Sequence, residues 1–303
     1  MTQTSSVRTN VAAAARPAPP LPRLAGGWEL VRLIGEGELA RVYQARSSGK
    51  ARSGPASYAL KLLKAPWADD PRGLELLARE ARVGRKVAEA HLVPILASNL
   101  DEPPYFVVMP LLEGRTLAHE IARGDRPSVP QALWIARQVA EALEALHTAG
   151  WMHADVKPSN IFLSATGHAT LIDLGLARRQ GENASLSSRP IVGTLAYMAP
   201  EMIVSTLAAD IRSDLYSLGV TLYELLSGRL PFDGSDAAQL AAQHCQELPT
   251  DLRVLTPHLP THVARLVRQM LAKEPLRRPQ TPRELIDRLA ALEIETFADR
   301  VPL

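Results

Sequence analysis

One short segment, Met152–Asn160, constrains this chain more than any other part of the sequence. It places Asp155, Lys157 and Asn160 close together in a predicted extended loop. Asp155 can accept a hydrogen bond from an attacking hydroxyl and orient it. Lys157 points to the same side and can neutralise charge on a phosphate, and Asn160 offers a neutral oxygen to a divalent cation. This combination of groups is typical of phosphoryl transfer.

A second acidic group follows this segment. Asp173 comes directly after the apolar run Thr170–Ile172, which is predicted to be a strand. A carboxylate at the end of a strand suits Mg²⁺ that bridges phosphates. Asp155 and Asp173 could each simply cap a turn. That alternative does not account for Asp, Lys, Asn and a second Asp arriving in this order, so we interpret the four side chains as one site.

A glycine-containing turn lies near the start of the chain, between Gly35 and Val42, with a second glycine at Gly37. It joins two predicted strands, so it is not the strand-to-helix turn of a dinucleotide-binding fold, and it lacks the Gly-Lys-Ser/Thr of a Walker A loop. Such a hairpin can cover a nucleotide and offer backbone N–H groups to its phosphates. It can equally be a plain turn in which glycine supplies a positive φ. The turn alone leaves both interpretations open.

Lys61 lies in an otherwise apolar predicted strand, Tyr58–Leu63. Its ammonium group must be hydrated or paired. For the strand taken alone, a snorkelling surface lysine is the simpler explanation. Glu80, on the next predicted helix, is the obvious ion-pair partner. Together the two side chains would hold a positive charge against the α- and β-phosphates of a nucleotide.

Hydrophobic periodicity divides the chain into a strand-rich part and a helical part. The first part contains one predicted packed helix, Leu74–Val87. Its strands are predicted at Trp28–Ile34, Arg41–Ala45, Tyr58–Leu63, Ile95–Ala97 and Tyr105–Met109. The main helices of the second part are predicted from Ser128 to Gly150 and at Asp214–Leu226, His262–Leu271 and Pro282–Leu292. The sequence therefore predicts a bilobal α+β fold, with a small antiparallel β-sheet and one helix in the first lobe and a larger, mainly helical second lobe.

Composition argues against several classes of protein. The formal net charge of the 303 residues is +2, which gives no indication of a nucleic-acid ligand. The single cysteine, Cys245, excludes an intramolecular disulfide and a Cys-rich zinc site, and it is compatible with a cytoplasmic protein. No stretch approaches the roughly 18 consecutive apolar residues of a membrane span. Residues 1–26, rich in proline and alanine, are predicted to be a disordered tail.

With these motifs in this order, the sequence resembles the eukaryotic-type (Hanks-type) serine/threonine protein kinases found in bacteria, over about residues 28–292. The resemblance implies transfer of the γ-phosphoryl group of ATP to Ser or Thr hydroxyls of protein substrates, the chain itself among them. Asp155 and Lys157 match the catalytic residues. Asn160 and Asp173 match the two ligands of Mg²⁺, with Mn²⁺ as an alternative. The implied nucleotide-binding residues are Gly35, Gly37, Val42, Ala59, Lys61, Glu80, Met109 and Leu112.

The resemblance also implies a division of the chain and several structural contacts. The implied parts are a kinase domain at 27–295, its N-lobe at 27–109, a hinge at 110–114, its C-lobe at 115–295, and a short C-terminal tail at 296–303. Gly193–Glu201 matches the substrate-binding segment. Glu201 is expected to form a buried ion pair with Arg278. Asp214 is expected to accept hydrogen bonds from the backbone of the catalytic loop.

Three departures from the family pattern concern the N-lobe and the motif at Asp173. In the glycine loop, Ala40 replaces the third glycine and Leu39 the usual aromatic tip, and we expect ATP binding to tolerate the extra methyl group. Leu174 replaces a phenylalanine and can still pack as an apolar plug. Gly84 stands where a large apolar side chain usually links the helix to this plug. Either the active arrangement is loosened there, or a neighbour such as Val87 fills the gap.

The fourth departure is Ala154, which stands where many kinases have an arginine beside the catalytic aspartate. That arginine holds a phosphate on the activation loop, and alanine cannot. Two alternatives to an active protein kinase remain: a pseudokinase that binds nucleotide or acts as a scaffold, and a small-molecule kinase of related fold. The complete set of charged groups argues against the first. The segment Gly193–Glu201 together with Arg278 argues against the second.

Because Ala154 cannot hold a phosphate, we predict activity that does not depend strictly on phosphorylation of the activation loop. The loop contains Ser185, Ser187 and Ser188, where autophosphorylation is compatible with the sequence. A variant with all three serines changed to alanine should retain phosphate transfer, measured with labelled ATP on a generic protein substrate. Abolished transfer in that variant would count against the prediction.

Overall fold

The computed structural model describes residues 24–48, 55–124, 126–179, 181–182, 195–205 and 208–298. The three activation-loop serines and the Gly193-Thr194 pair of the predicted substrate-binding segment lie outside these residues. Within the described part, the family-like division into a sheet-rich and a helical lobe is confirmed.

The first lobe is built on a six-stranded antiparallel sheet with the strand order β1-β2-β3-β4-β6-β5. Its strands are β1 (Leu24–Ala25), β2 (Trp28–Glu36), β3 (Ala40–Ser47), β4 (Tyr58–Leu63), β5 (Ala97–Asn99) and β6 (Phe106–Pro110). Two helices follow β4, the short α1 (Ala65–Ala68) and the longer α2 (Pro71–Lys86). Leu77 and Ala81 of α2 pack on Leu63 and Val107 of the sheet. The packed helix is the one predicted, and α1 is an addition to it.

A short second sheet connects the lobes. It has the order β7-β8-β9, with β7 at Arg115–Thr116, β8 at Ile161–Leu163 and β9 at Ala169–Leu171. Gly114, at the end of the predicted hinge, has a φ of +139°, and a Cβ there would lie 2.1 Å from the carbonyl oxygen of Leu163. Only glycine fits so close an approach of two backbones.

The second lobe is helical around one large core. Its helices are α3 (Leu117–Ala122), α4 (Val129–Thr148), α5 (Pro200–Val204), α6 (Ile211–Ser227), α7 (Ala237–Gln246), α8 (Leu252–Leu255), α9 (Thr261–Met270) and α10 (Pro282–Ala298). The core is formed mainly by α4 and α6, in which Leu143 and Leu215 are fully buried. None of the helices in the described ranges is both long and apolar enough to cross a membrane.

Two elements extend past the ends that the sequence predicted for the kinase domain. Leu24–Ala25 pair with Trp28 and Glu29 as β1, although the disordered tail was expected to reach residue 26. Buried Ala25 anchors this strand, and Gly26, at φ +54°, makes the turn. At the other end, α10 continues through the expected tail at 296–298, because Thr296 is buried one turn after Leu292 and donates to its carbonyl oxygen.

Two internal elements also begin elsewhere than predicted. Helix α2 begins at Pro71 rather than Leu74, because Asp70 accepts a hydrogen bond from the Arg72 N–H group and Pro71 suits the first helical position. Strand β5 begins at Ala97 rather than Ile95, since the Ile95 N–H group donates to the carbonyl oxygen of Gly84 in α2.

The predicted ion pair between Arg278 and Glu201 is present and buried. The Arg278 side chain is fully inaccessible and donates to both carboxylate oxygens of Glu201, at 2.7 and 2.8 Å. Its guanidinium also lies over the ring of Tyr216, 4.8 Å from the centroid. Its remaining hydrogen bonds go to the carbonyl oxygens of Ala272, Arg212 and Lys273. This one side chain therefore holds α5, α6 and the segment after α9 together.

We predict that Arg278→Met lowers the free energy of unfolding by about 3–5 kcal/mol, because it leaves the Glu201 carboxylate buried without its counter-charge. The adjacent Arg277 is the matched control, since its side chain is 72% exposed and its ion pair is with exposed Glu274. Arg277→Met should change stability by less than about 1 kcal/mol. Urea denaturation of the three proteins measures the difference, and equal losses for both variants would contradict the prediction.

Candidate active site

The two lobes are joined at Lys61. Its Nζ donates to Glu80 Oε2 at 2.8 Å and to Asp173 Oδ1 at 2.9 Å. Lys61 and Glu80 are both buried. The predicted pair of Lys61 with Glu80 is confirmed, and Asp173 is a second partner that the sequence did not indicate. A strand, a helix and the chain after β9 thus meet at one ammonium group.

The charge on Lys61 is stabilised by these two carboxylates. Burial alone would lower the pKa of Lys61, but Asp173 and Glu80 outweigh it and raise the pKa above its ordinary value. Burial raises the pKa of Glu80, and the Lys61 ammonium opposes that shift. Lys61 is therefore a fixed positive charge at neutral pH, positioned at the junction of the lobes.

Asp155, Lys157 and Asn160 form the second part of the site. Lys157 Nζ lies 2.9 Å from Asp155 Oδ2, and Asn160 Nδ2 donates to the same oxygen at 2.7 Å. Asn160 Nδ2 also donates to the backbone carbonyl of Asp155 at 2.8 Å. Asp155 Oδ1 is buried and has no hydrogen-bond partner among the residues that the structure describes. One carboxylate oxygen is thus held in place, and the other has an unused capacity to accept a hydrogen bond.

Burial is the main influence on the ionisation of Asp155. It raises the pKa of the carboxyl group, and the neighbouring Lys157 ammonium acts in the opposite direction. A raised pKa makes Asp155 a better proton acceptor in its ionised form. The group therefore has the environment expected of a general base.

Asp214 holds the backbone of this loop, as predicted. Its carboxylate accepts hydrogen bonds from the N–H groups of His153, at 2.6 Å, and Ala154, at 2.8 Å. Burial raises the pKa of Asp214 to about 7, and the two N–H groups oppose that rise. Ala154 has a φ of +65°, a left-handed conformation that a residue with a side chain rarely adopts. The paired hydrogen bonds to Asp214 compensate for this strain.

Asp173 is fixed beside the loop by backbone contacts. The Ile172 N–H group donates to the carbonyl oxygen of Asn160 at 2.8 Å, and His153 Nε2 lies 3.2 Å from the carbonyl oxygen of Ile172. Asp173 itself has a φ of +67°. Asn160 and Asp173, the two predicted metal ligands, are therefore brought to the same end of the cleft.

The predicted nucleotide-binding residues of the sheet share one face. Val42 pairs with Lys61 across β3 and β4, and Ala59 pairs with Met109 across β4 and β6. Since cross-strand partners and residues two apart point to the same side of a sheet, these four side chains line one surface. Leu112 follows β6 in the connection to β7.

The two glycines of the loop are not explained by backbone conformation or by crowding. Neither Gly35 nor Gly37 has a positive φ. A Cβ at Gly35 would lie 3.7 Å from Val42 Cβ, and one at Gly37 would lie 3.8 Å from the Ala40 carbonyl oxygen, which are ordinary contacts. Protein geometry therefore does not require glycine at either position. A role of both glycines beside a phosphate-bearing ligand stays a prediction, and it is compatible with this geometry.

The departures at Ala40 and Gly84 are accommodated locally. Ala40 is 4% exposed, so its methyl group is buried in the lobe. A Cβ at Gly84 would lie 2.5 Å from Ile95 Cγ1, which shows that Ile95 occupies the space of the missing side chain. The Leu174 plug is fully buried in a cluster that includes Val87. The gap expected at Gly84 is thus filled, and Ile95 is the neighbour that fills it.

One ionic contact of α2 was missed by the sequence analysis. Arg79, next to Glu80, lies 3.0 Å from Glu182 Oε1 and donates to the carbonyl oxygen of Ala177 at 3.3 Å. Local sequence patterns do not indicate this contact, because Arg79 and Glu182 are far apart in the chain and meet only in the folded protein.

Comparison with known proteins agrees with this geometry. The family model described as protein kinase domain matches residues 28–288. The serine/threonine-protein kinase PrkC of Bacillus subtilis is 30% identical over 87% of this chain and 40% of its own length. PknE of Mycobacterium bovis is 35% identical over 82% of this chain and 43% of its length. PknA of Mycobacterium tuberculosis is 33% identical over 89% of this chain and 62% of its length.

The chain therefore spans less than two thirds of the length of each of these relatives. The match to the family model nevertheless extends over both lobes and over the whole site. They show that this chain belongs to the protein kinase family and confirm its resemblance to the Hanks-type serine/threonine protein kinases of bacteria.

Proposed function

We propose that this chain is an active serine/threonine protein kinase, which transfers the γ-phosphoryl group of ATP to hydroxyl groups of protein substrates and of itself. One observation carries the proposal: Asp155 keeps one oxygen bound to Lys157 and Asn160 and leaves the other, buried oxygen without a partner among the described residues. A serine or threonine hydroxyl that donates to this oxygen would be oriented for attack on phosphorus.

Lys157 and Lys61 would stabilise negative charge on different parts of the nucleotide. Lys157, beside Asp155, would neutralise charge that develops on the transferred group. Lys61, held by Glu80 and Asp173, would bind the α- and β-phosphates. The pseudokinase alternative has no support here, since every charged group required for transfer is in contact with its partner.

The proposed metal ligands suit Mg²⁺. The side-chain amide nitrogen of Asn160 is used as a donor to Asp155, so its oxygen is the end offered to a cation. Asp173 is 45% exposed and supplies a carboxylate. Oxygen donors completed by phosphate oxygens and water are the usual environment of Mg²⁺ in such sites, and Mn²⁺ accepts similar ligands. When bound, the cation would neutralise phosphate charge.

The substrate class is inferred from the segment around the start of α5, because Tyr197, Met198 and Met202 lie beside Asp155 of the catalytic loop. The Tyr197 hydroxyl is fixed by donation to Glu224 Oε2 at 2.7 Å. We place the kinase domain from β1 to α10 and, from the single cysteine, infer a cytoplasmic location.

Asp155→Asn should lower kcat by at least about 100-fold, because the amide cannot accept the hydroxyl proton. Binding of ATP should persist, since Lys61, Glu80 and Asp173 are unchanged. Exposed Asp233 provides the control, and Asp233→Asn should leave kcat unaltered. Transfer from labelled ATP, with phosphoamino-acid analysis, measures both. An Asp155→Asn variant that remained fully active would refute the proposed role of Asp155, and no transfer by any of the proteins would favour the pseudokinase.

The pH dependence of kcat/KM should reveal the effect of Lys157 on the ionisation of Asp155. Lys157 lowers the pKa of Asp155, so removing its charge should raise that pKa further and move the acid limb of kcat/KM to higher pH. Lys157→Met should show this shift in addition to a lower maximum, whereas Lys157→Arg should keep the limb in place. Profiles of kcat/KM against pH, normalised to each maximum, test it. Superimposable profiles for Met and Arg variants would contradict the assignment of Asp155 as the titrating base.

A further inference from the structure

A second ionic contact holds α2, one residue away from Glu80. Arg79 Nη2 lies 3.0 Å from Glu182 Oε1 and 3.0 Å from Glu75 Oε1, and Arg79 Nη1 donates to the Ala177 carbonyl oxygen at 3.3 Å. The Arg79 side chain is 16% exposed. Glu75 belongs to the same helix, whereas Ala177 and Glu182 belong to the chain that follows Asp173. Arg79 thus ties α2 to that chain.

Glu182 is the better-ordered partner of Arg79. Its other oxygen, Oε2, accepts a hydrogen bond from the Arg179 N–H group at 2.9 Å, and its own N–H donates to the Arg179 carbonyl oxygen at 3.1 Å. Its side chain is 35% exposed, against 61% for Glu75. A carboxylate held at both oxygens and partly shielded from water loses less entropy and interacts more strongly with a cation than an exposed one.

The Glu182 carboxylate interacts with the charge of buried Arg178 as well as with that of Arg79. Arg178 is 3% exposed, and its guanidinium nitrogens have no hydrogen-bond partner among the described residues. Burial lowers the pKa of Arg178, Asp214 and Glu182 raise it, and Arg79 lowers it, so these charges interact. Without Glu182, Glu75 would remain as an acidic partner of Arg79, and Asp214 would be left to offset the repulsion between the charges of Arg79 and Arg178.

The contact matters because Arg79 and Glu80 are neighbours on one rigid helix. Glu80 must stay against Lys61 for the ammonium to keep its position, and any rotation or displacement of α2 that frees Arg79 also moves Glu80. Ala154 removes the side chain that would hold a phosphate on the loop. Glu182 supplies a permanent negative charge on the same stretch of chain, directly bonded to α2.

We propose that Glu182 is a positioning residue, which holds α2 through Arg79 in the arrangement that keeps Glu80 on Lys61. This inference rests on the proposed kinase function. The Glu182 carboxylate then keeps α2 in position without phosphorylation of the loop. It also gives a structural basis for activity that does not require a phosphorylated loop.

The test compares Glu182→Gln with Glu75→Gln, which removes the other acidic partner of Arg79 and is the matched control. Glu182→Gln should lower kcat/KM for ATP by about three- to tenfold, and Glu75→Gln should leave it unchanged. Glu182→Asp, which keeps the charge, should recover part of the loss. In an Arg79→Ala background, Glu182→Gln should have no further effect, because its partner is already absent.

Hydrogen exchange provides a readout that does not depend on catalysis. Amide groups of α2 should exchange faster in Glu182→Gln than in the wild type or Glu75→Gln, with α4 unchanged in all three proteins. Equal exchange of α2 in both variants would overturn the proposal, and so would independent, multiplicative effects of Arg79→Ala and Glu182→Gln. If the wild type transferred no phosphate, the proposed function would fail, and the exchange of α2 would still decide whether Glu182 positions the helix.

Discussion

The contact of Lys61 with Glu80 and Asp173 is the constraint on which the rest of the site depends. Glu80 is 1% exposed, and a carboxylate so deeply buried is stable as an anion only beside a cation. The Lys61 ammonium needs the same compensation. Each partner comes from a different element, so β4, α2 and the end of β9 must be correctly placed together before any one of these charges is satisfied. A displacement of α2 would therefore separate Glu80 from Lys61 and disturb the charges of the catalytic cleft.

Sequence patterns predicted the elements whose signals are local. The apolar strand Tyr58–Leu63 is found where it was expected, and so is the start of α4, which Ser128 precedes as its N-cap. The errors arose where long-range contacts determine the boundary. Leu24–Ala25 form a strand because β2 is available to pair with them, and Ile95 is withdrawn from β5 because its N–H group bonds to α2. Neither partner is visible in the local pattern.

The same distinction applies to the site. Motif spacing was sufficient to predict the Lys61–Glu80 pair, and the family resemblance supplied the Arg278–Glu201 pair. The bond from Lys61 to Asp173 and the Arg79–Glu182 contact were not predicted, because each joins charges more than a hundred positions apart. Gly84 shows that side-chain packing is also hard to predict from sequence. The glycine suggested an unfilled space beside α2, yet Ile95 from another segment occupies that space.

The departure at Ala154 leaves the geometry of the catalytic loop intact. The left-handed backbone at Ala154 is held by hydrogen bonds from the N–H groups of His153 and Ala154 to Asp214, and these bonds need no side chain at position 154. An arginine there would extend from the same backbone and add a contact with the loop, without changing how Asp155 is presented. Alanine keeps the base in place, and we expect it to remove a response to phosphorylation. The chain can therefore depart from the family at this residue and retain the complete set of groups that the chemistry requires.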